Sequence, residues 1–245
     1  TGLSMGEHCE LMAKEWGIGR VEQDELALQS HLKGAKAWQE GFYDDLVVPM
    51  AGLSRDNNLR PDTSLEKLAA LKAVYDRSEA GTLTAGNSTP LTDGASCVLL
   101  ASETWARARG APIQAFLTHG PREGLLMAPA YAVPAMLDRA GIALQDLDIY
   151  EIHEAFAAQV LCTLKAWESA DYCREKLGRN APLGTVARER MNPKGGSVAL
   201  GHPFAATGTR IVGTLAKQLQ ERGSGRGLIS ICTAGGLGVT AILER

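Results

Sequence analysis

The chain has 245 residues, of which 45% are hydrophobic and 22% charged, a composition that allows one large or two modest globular domains. Its formal net charge of -3 provides no electrostatic footprint for nucleic acid. The longest apolar stretch, residues 228–243, is interrupted by three glycines, so it predicts a strand–turn–strand unit and no membrane span.

The cysteines form neither a CxxC pair nor a spacing typical of zinc ligands, so no metal site is predicted. An odd number of cysteines, without a recognisable signal peptide, indicates a reducing intracellular setting. We expect the cytoplasm, with the mitochondrial matrix as the alternative. The five cysteines are Cys9, Cys97, Cys162, Cys173 and Cys232.

The first 80 residues predict helices separated by polar turns. Ser4, with Glu7 three residues later, forms a capping-box pattern that predicts a helix start. A second amphipathic helix is expected from Gly19 to about Gln39. The remaining predicted elements are a short strand at 45–49, a polar surface excursion at 52–62 and a helix at 64–75.

From residue 81 onward, strands alternate with helices and glycine-rich turns, a pattern that favours α/β layers. The predicted strands lie at 82–86, 95–101, 113–119, 147–152, 227–232 and 239–244. The predicted helices lie at 102–109, 132–140, 154–167 and 207–222. Residues 168–194 are polar and contain glycine and proline, so they predict a surface excursion.

The first segment of chemical interest is Tyr150-Glu-Ile-His-Glu-Ala-Phe, where a predicted strand runs into a helix. Such a junction leaves backbone N–H groups free and brings polar side chains together, which makes His153 and Glu154 candidates for a functional site. The alternative interpretation is an ordinary helix start with a cluster of capping polar groups.

The second segment is the glycine-rich stretch 195–208, in which His202 stands between Gly201 and Pro203 ahead of a long helix. The glycine allows a substrate to approach the backbone closely, and the proline fixes the direction of the loop. A histidine held in this way suits acid–base chemistry at neutral pH. The alternative is a buried histidine satisfied by backbone hydrogen bonds.

The third segment is Cys232-Thr-Ala-Gly-Gly-Leu-Gly, which places a thiol at the end of a strand, directly before a turn of small residues. Such a turn presents successive backbone N–H groups, from which an oxyanion hole can be built. The alternative is that Cys232 is simply a small residue of the hydrophobic core.

Together these segments resemble the thiolase family, the acetyl-CoA acyltransferases, and the resemblance runs over nearly the whole chain. The family shows five motifs in a fixed order: a Met-Gly-Glu helix start, an Asn…Asp-Gly-Ala turn, an Asn/His-Glu-Ala-Phe-Ala segment, a Gly-His-Pro loop and a terminal Cys-x-x-Gly-Gly-x-Gly turn. In this chain they are Met5–Glu7, Asn87–Ala95, His153–Ala157, Gly201–Gly208 and Cys232–Gly238.

The resemblance implies an α/β fold of the thiolase-like layered α-β-α-β-α type, of which this chain holds the loop domain and the carboxy-terminal half. Residues 1–81 then form the loop domain that covers CoA. Residues 82–114 form the last strand and helix of the amino-terminal half, and residues 115–245 form the carboxy-terminal domain.

The resemblance also implies reversible Claisen chemistry: thiolysis of a 3-ketoacyl-CoA, or condensation of two acyl-CoA units. In that chemistry His202 is the base that activates a thiol nucleophile, and Cys232 is the second acid/base. His202 and His153 stabilise the negative charge on the thioester oxygen. The backbone N–H of Ala234, beside Gly235, provides a second oxyanion site.

CoA and acyl-CoA are expected as substrates, with no permanently bound cofactor. Met5, Arg60 and Lys67 fall roughly where contacts to CoA would lie by the resemblance, although solvated surface charge explains the two basic residues equally well.

His153 stands where many thiolases have asparagine, and this resembles the fatty-acid degradation branch that works with a multifunctional partner subunit. The stretch 168–194 resembles the same branch. A homodimer or tetramer is expected. An acetoacetyl-CoA-forming biosynthetic thiolase is the alternative, and a lipid-transfer-associated thiolase-like protein or a ketoacyl synthase relative is a weaker one, because Cys232 is unlike the synthases.

The family's acylated cysteine lies in the amino-terminal half, in a Cys-Ala/Gly-Ser turn that opens a buried helix, and none of the five cysteines has that context. We therefore expect this chain to lack the nucleophile, to be the carboxy-terminal portion of a longer polypeptide, and to be inactive alone. The alternative is a CoA-binding or scaffolding remnant without turnover.

Overall fold

The computed structural model describes residues 2–111, 116–119, 126–233 and 235–245. The helices are α1 (Met5–Glu15), α2 (Arg20–Gln39), α3 (Leu65–Ala69), α4 (Glu103–Ala108), α5 (Ala128–Ala140), α6 (Ala157–Glu168), α7 (Ala170–Leu177), α8 (Ser197–Leu200) and α9 (Thr207–Arg222). The strands are β1 (Phe116–His119), β2 (Ile149–Ile152), β3 (Arg226–Thr233) and β4 (Leu237–Glu244). No helix of these ranges combines the length and apolar character needed to cross a membrane.

The four strands form one mixed sheet in the order β1-β4-β3-β2. The β3–β4 and β1–β4 pairs are antiparallel, whereas β2 and β3 run parallel, with Ile149 opposite Gly227 and Ile152 opposite Ser230. Because β2 and β3 run parallel, the carboxyl ends of both strands reach the same edge of the sheet. This edge receives the segments that carry His153 and Cys232.

Helices cover both faces of the sheet, which is the layered α/β arrangement predicted from the sequence. On one face, α9 packs its apolar stripe against alternate strand residues, and this cluster contains Ile149, Leu215, Leu219, Ile229 and Leu243. On the other face, α5 and α6 form the larger core, in which Tyr150, Ile152, Val133, Val160 and Leu228 take part. Consecutive residues of β2 thus point to opposite layers.

The helix starts predicted near the amino terminus are confirmed. The Ser4 hydroxyl accepts a hydrogen bond from the Glu7 backbone N–H, and the Glu7 carboxylate accepts one from the Ser4 backbone, so the capping box is complete. α2 follows as predicted, and its buried face packs against α3, α6 and α8. α2 therefore connects the amino-terminal helices to the glycine-rich segment around α8.

Some predicted elements are wrong. Residues 45–49 form turns and irregular backbone, and residues 82–86 contribute only an isolated bridge between Thr84 and Ala73. The helix expected at 64–75 ends at Ala69, because the Arg20 guanidinium takes the carbonyl oxygens of Leu68 and Leu71, at 2.5 and 3.1 Å. Tertiary contacts here outweigh local helix propensity.

The strand predicted at 95–101 is also absent from the described structure, and this segment is mostly exposed. A strand requires a hydrogen-bonded neighbour, and no described strand pairs with these residues. The polar excursion predicted at 168–194 contains a short helix, α7, which Ser169 caps. The predicted strand 113–119 is described only over β1, since residues 113–115 lie outside the described ranges.

Candidate active site

The site lies at the carboxyl ends of β2 and β3. Pairing of these strands continues one residue past β2, because the His153 N–H donates to the Ser230 carbonyl at 2.8 Å. Two further segments reach the same place: an isolated antiparallel bridge joins Ser88 to Phe156, and a parallel one joins Leu91 to His202. Four of the five sequence motifs thus meet at one edge of the sheet.

The His153 side chain is buried, with 1% of its surface exposed. Its Nδ1 lies 2.8 Å from the Ser197 hydroxyl, whereas its buried Nε2 has no hydrogen-bond partner among the described residues. Burial, together with the nearby His202 and Arg210, holds the pKa of this imidazole well below its usual range. His153 is therefore neutral at pH 7 and has one nitrogen available to a ligand.

The His202 ring stacks beside His153, with ring centroids 4.3 Å apart, and is only partly buried. Its Nδ1 lies 2.6 Å from the Thr207 hydroxyl, which itself donates to the Pro203 carbonyl at 3.2 Å. The hydroxyl oxygen thus accepts from Nδ1, which leaves the Nε2 lone pair free. Burial and the Arg210 charge lower the pKa of His202, so it is neutral and able to act as a base.

The carboxylate of Glu154 fixes the loop that leads to His202. It accepts hydrogen bonds from the Ser30 hydroxyl at 2.6 Å, the Asn192 amide at 2.6 Å and the Val198 backbone at 3.2 Å. Ser30 also accepts from the Gly196 N–H at 2.9 Å. A Cβ at Gly196 would lie 2.1 Å from the carboxyl carbon of Glu154, so only glycine fits there. Glu154 thereby ties α2, β2 and the glycine-rich loop together.

The glycine before His202 is needed for a second reason. Gly201 has a φ of 90°, in the left-handed region that side chains other than glycine rarely adopt, and a Cβ there would lie 2.9 Å from Thr92. The sequence-based expectation of a glycine-framed histidine is met by the backbone geometry.

Cys232 lies on β3, two residues beyond Ser230 and on the face of the sheet that packs against α6. Its thiol is 6% exposed and its sulfur lies 3.4 Å from Oε1 of Gln159. Burial raises the pKa of this thiol to about 12, so it is protonated at neutral pH. A protonated thiol in this position is a proton donor and is unsuited to be a resting nucleophile.

The turn between β3 and β4 includes Gly235, which is exposed and has a φ of 84°. Ala234, whose backbone N–H is the predicted second oxyanion donor, lies outside the described residues.

The three residues predicted to contact CoA lie in separate places. Met5 begins α1 and packs against the core cluster that contains Cys232. Arg60 is exposed and its guanidinium donates to the carbonyls of Asn57 and Leu59, at 2.7 and 3.1 Å. Lys67 forms an exposed ion pair of 2.7 Å with Asp62. The basic pair is thus on the surface, apart from the contacts that join the two histidines.

The remaining thiols do not adjoin the two histidines through any described contact. Cys9, Cys162 and Cys173 are buried within helices, and Cys97 is exposed in the irregular segment before α4. Burial raises the pKa of Cys9, and burial also raises the pKa of Cys162 to about 12. None of the three buried thiols is positioned at a helix start, where a thiolate would be stabilised.

Sequence reasoning missed four residues of the site: Ser197, Thr207 and Arg210, and Glu154 as the anchor of the loop. Ser197 and Thr207 flank the Gly-His-Pro loop and Arg210 follows on α9, so their proximity to the motif was the available signal. Their partners lie 5 to 44 positions away, which spacing alone does not reveal.

Comparison with known proteins agrees with this geometry. Residues 109–245 match the family model described as the thiolase C-terminal domain, and residues 1–104 match the thiolase N-terminal domain. The fold and the site are those of a layered α/β protein with a paired-histidine centre. The chain belongs to the thiolase family.

Among curated proteins, the chain is similar to the 3-ketoacyl-CoA thiolase of Pectobacterium atrosepticum, with 48% identity over 256 positions. A Yersinia pestis protein of the same name is 46% identical over 256 positions. In each case the match covers 100% of this chain and 58% of the relative, so the chain spans a little over half the length of these proteins.

Solved structures agree. An acetyl-CoA acetyltransferase from Bacillus anthracis aligns with a TM-score of 0.81 at 34% identity, covering 99% of this chain and 60% of that one. Human mitochondrial 3-ketoacyl-CoA thiolase in complex with CoA aligns with a TM-score of 0.80 at 28% identity, covering 99% and 59%.

Proposed function

We propose that this chain carries the proton-transfer part of a thiolase, an acyltransferase that cleaves a 3-ketoacyl-CoA with CoA into acetyl-CoA and a shortened acyl-CoA, or runs the reverse Claisen condensation. The observation that carries the proposal is the contact between His153 and His202, with rings 4.3 Å apart at the end of the strand next to Cys232. The names of the relatives favour the same reaction.

The roles follow from the protonation states. His202, neutral and with a free Nε2 lone pair, takes the proton of a nucleophilic thiol, and the resulting thiolate attacks the 3-keto carbon. Collapse of that adduct breaks the bond between the 2- and 3-carbons, and the electron pair leaves as the acetyl-CoA carbanion. Cys232, a thiol at neutral pH, protonates that carbanion and becomes a thiolate.

The second half of the reaction reverses the proton flow. The Cys232 thiolate takes the proton of an incoming CoA thiol, and the CoA sulfur attacks the acyl thioester. His153 stabilises the oxyanion through its unpartnered Nε2, and the Ala234 N–H and the turn at Gly235 provide the second oxyanion site.

The nucleophile is proposed to come from outside these 245 residues, because none of the chain's thiols combines a low pKa with a place beside His202. The alternative is a CoA-binding or scaffolding chain without turnover. A biosynthetic thiolase that forms acetoacetyl-CoA is a second alternative, which the acetyltransferase names among the solved structures keep open.

The proposal extends to the wider organisation. Residues 1–81 cover CoA with help from Met5, Arg60 and Lys67, residues 82–114 belong to the amino-terminal half, and residues 115–245 form the carboxy-terminal domain. CoA and acyl-CoA are substrates, and the enzyme works as a homodimer or tetramer with a multifunctional β-oxidation partner. The named relatives are bacterial, which favours the cytoplasm over the mitochondrial matrix.

The test is thiolysis of acetoacetyl-CoA by a protein completed to the length of its relatives. His202→Ala and Cys232→Ala are each expected to lower kcat/KM by about 100-fold or more, since each removes a proton-transfer group. Cys97→Ala removes an exposed thiol away from the site and is the matched control, expected to be near wild type. Near-normal rates for either site variant would overturn the roles assigned here.

A further inference from the structure

One hydroxyl connects a cation to the buried histidine. The Ser197 Oγ lies 2.8 Å from an Nη of Arg210 and 2.8 Å from Nδ1 of His153. Ser197 is 1% exposed, and it begins α8, while Arg210 lies in the first turn of α9. The three residues therefore form a continuous chain from a guanidinium to an imidazole inside the protein.

The directions of these hydrogen bonds can be assigned from the donors available. A guanidinium only donates, so the Ser197 oxygen accepts from Arg210. The hydroxyl has a single proton, and its only hydrogen-bonded neighbour besides Arg210 among the described residues is Nδ1 of His153. The hydroxyl therefore donates to Nδ1, which must be unprotonated. The proton of the neutral imidazole then resides on Nε2, the atom without a described partner.

Arg210 also acts through its charge. It forms no ion pair with any carboxylate of the described residues, and its Nε is buried without a hydrogen-bond partner there. A cation that no adjacent carboxylate neutralises opposes the addition of a second proton to His153, two hydrogen bonds away. The same arrangement favours an anion on the far side of His153.

His202 shows the opposite arrangement. Its Nδ1 donates to Thr207, because the Thr207 hydroxyl proton goes to the Pro203 carbonyl. His202 thus presents a lone pair at Nε2, whereas His153 presents an N–H. One histidine of the pair is built to accept a proton and the other to donate a hydrogen bond.

We propose that Ser197 and Arg210 are positioning residues that hold His153 in its Nε2–H tautomer, so that it donates a hydrogen bond to the substrate oxyanion while His202 serves as the base. This inference rests on the proposed function for its oxyanion and on hydrogen-bond geometry for its tautomer. Neither Ser197 nor Arg210 needs to touch the substrate.

The tautomer can be measured directly by long-range ¹H–¹⁵N correlation on protein with ¹⁵N-labelled histidine, with the two signals assigned by loss in His153→Asn and His202→Asn. In the wild type, His153 is expected to carry its proton on Nε2 in roughly tenfold excess, the bias that about 1.4 kcal/mol gives. His202 is expected to carry its proton on Nδ1. An Nδ1 proton on His153 would overturn the proposal.

The variants separate the two positioning residues. Ser197→Ala is expected to bring the His153 tautomers to near parity, Arg210→Gln to shift them the same way, and Arg210→Lys to retain the wild-type pattern because it keeps the charge and a donor. Thr207→Ala is the matched control, since it removes the hydroxyl bound to His202 and should move the His202 signals alone. Unchanged His153 signals in a folded Ser197→Ala protein would contradict the proposal.

Two readouts keep this inference apart from the proposed reaction. If Ser197→Ala does not fold, the wild-type tautomer and the two Arg210 variants still decide the outcome. A completed protein with the Nε2–H tautomer but no thiolysis would overturn the reaction and leave the positioning role standing. A completed, active thiolase with an Nδ1–H His153 would overturn the positioning role alone.

Discussion

Two regions of this molecule treat burial in opposite ways. At the carboxyl ends of β2 and β3, polar side chains such as His153, Glu154 and Asn192 are almost completely buried. Between residues 91 and 101, apolar side chains are exposed instead, with Leu91 at 83% and Leu99 at 75%. The first region contains hydrogen-bonded chemistry, and the second is an apolar run without a covering surface among the described residues.

The difference teaches how each region is determined. Burying a polar group is unfavourable unless hydrogen bonds replace water, and the first region satisfies most of its groups within the described chain. The second has a sequence suited to a buried strand, yet a strand forms only beside a partner. The site's scaffold is therefore encoded within the described residues, whereas burial of 91–101 depends on a surface beyond them.

The strongest test of that contrast is Glu154→Ala. The substitution leaves the Ser30 hydroxyl, the Asn192 amide and the Val198 N–H without their shared acceptor, so we expect the free energy of unfolding to fall by about 3 kcal/mol or more. Denaturant unfolding followed by circular dichroism measures the change.

The matched control comes from the exposed region. Leu99→Ala removes a side chain that is 75% exposed and should change the free energy of unfolding by less than about 0.5 kcal/mol. Equal losses in the two variants would show that the contrast between the two regions is wrong.

A smaller effect is expected for Glu151, which is buried on β2 and accepts a hydrogen bond of 2.7 Å from Gln218. Burial raises the pKa of this carboxyl from 4.5 to about 7, while Arg210 and Lys33 lower it and Glu154 raises it. Since the folded pKa lies above the unfolded one, its stabilisation is complete below pH 4.5 and is lost as pH rises through about 7.

Glu151→Gln removes that titration and keeps an amide oxygen for Gln218. At pH 8 the variant should therefore exceed the wild type in free energy of unfolding, by on the order of 2 kcal/mol, and the gap should close towards pH 4. Thermal unfolding at a series of pH values measures it. A gap that is independent of pH would exclude a raised carboxyl pKa as its cause.

Much of the fold was predictable, because the longer elements have strong local signals. The capping box at Ser4, the amphipathic α9 and the left-handed Gly141 that ends α5 all follow from sequence patterns that the structure confirms. The strand expected at 95–101 and the long helix at 64–75 failed, because a strand requires pairing and Arg20 takes the carbonyls where the helix ends.

The site was predictable only in part. The glycines around His202 pointed to a loop with unusual backbone geometry, and Gly201 has it. The hydrogen-bond partners of the histidines were not predictable, because the Ser197–His153 contact joins residues 44 positions apart. A sequence shows which groups carry chemistry, but which nitrogen of a histidine carries the proton depends on the folded neighbours.

The most direct test of the account is the rate of acetoacetyl-CoA cleavage by the 245-residue protein alone, in the presence of CoA. The account predicts a folded protein with no turnover above the uncatalysed background, because it holds the base His202 and the acid Cys232 but no activated thiol nucleophile. Measurable turnover that disappears when Cys9, Cys97, Cys162 or Cys173 is replaced by alanine would contradict it.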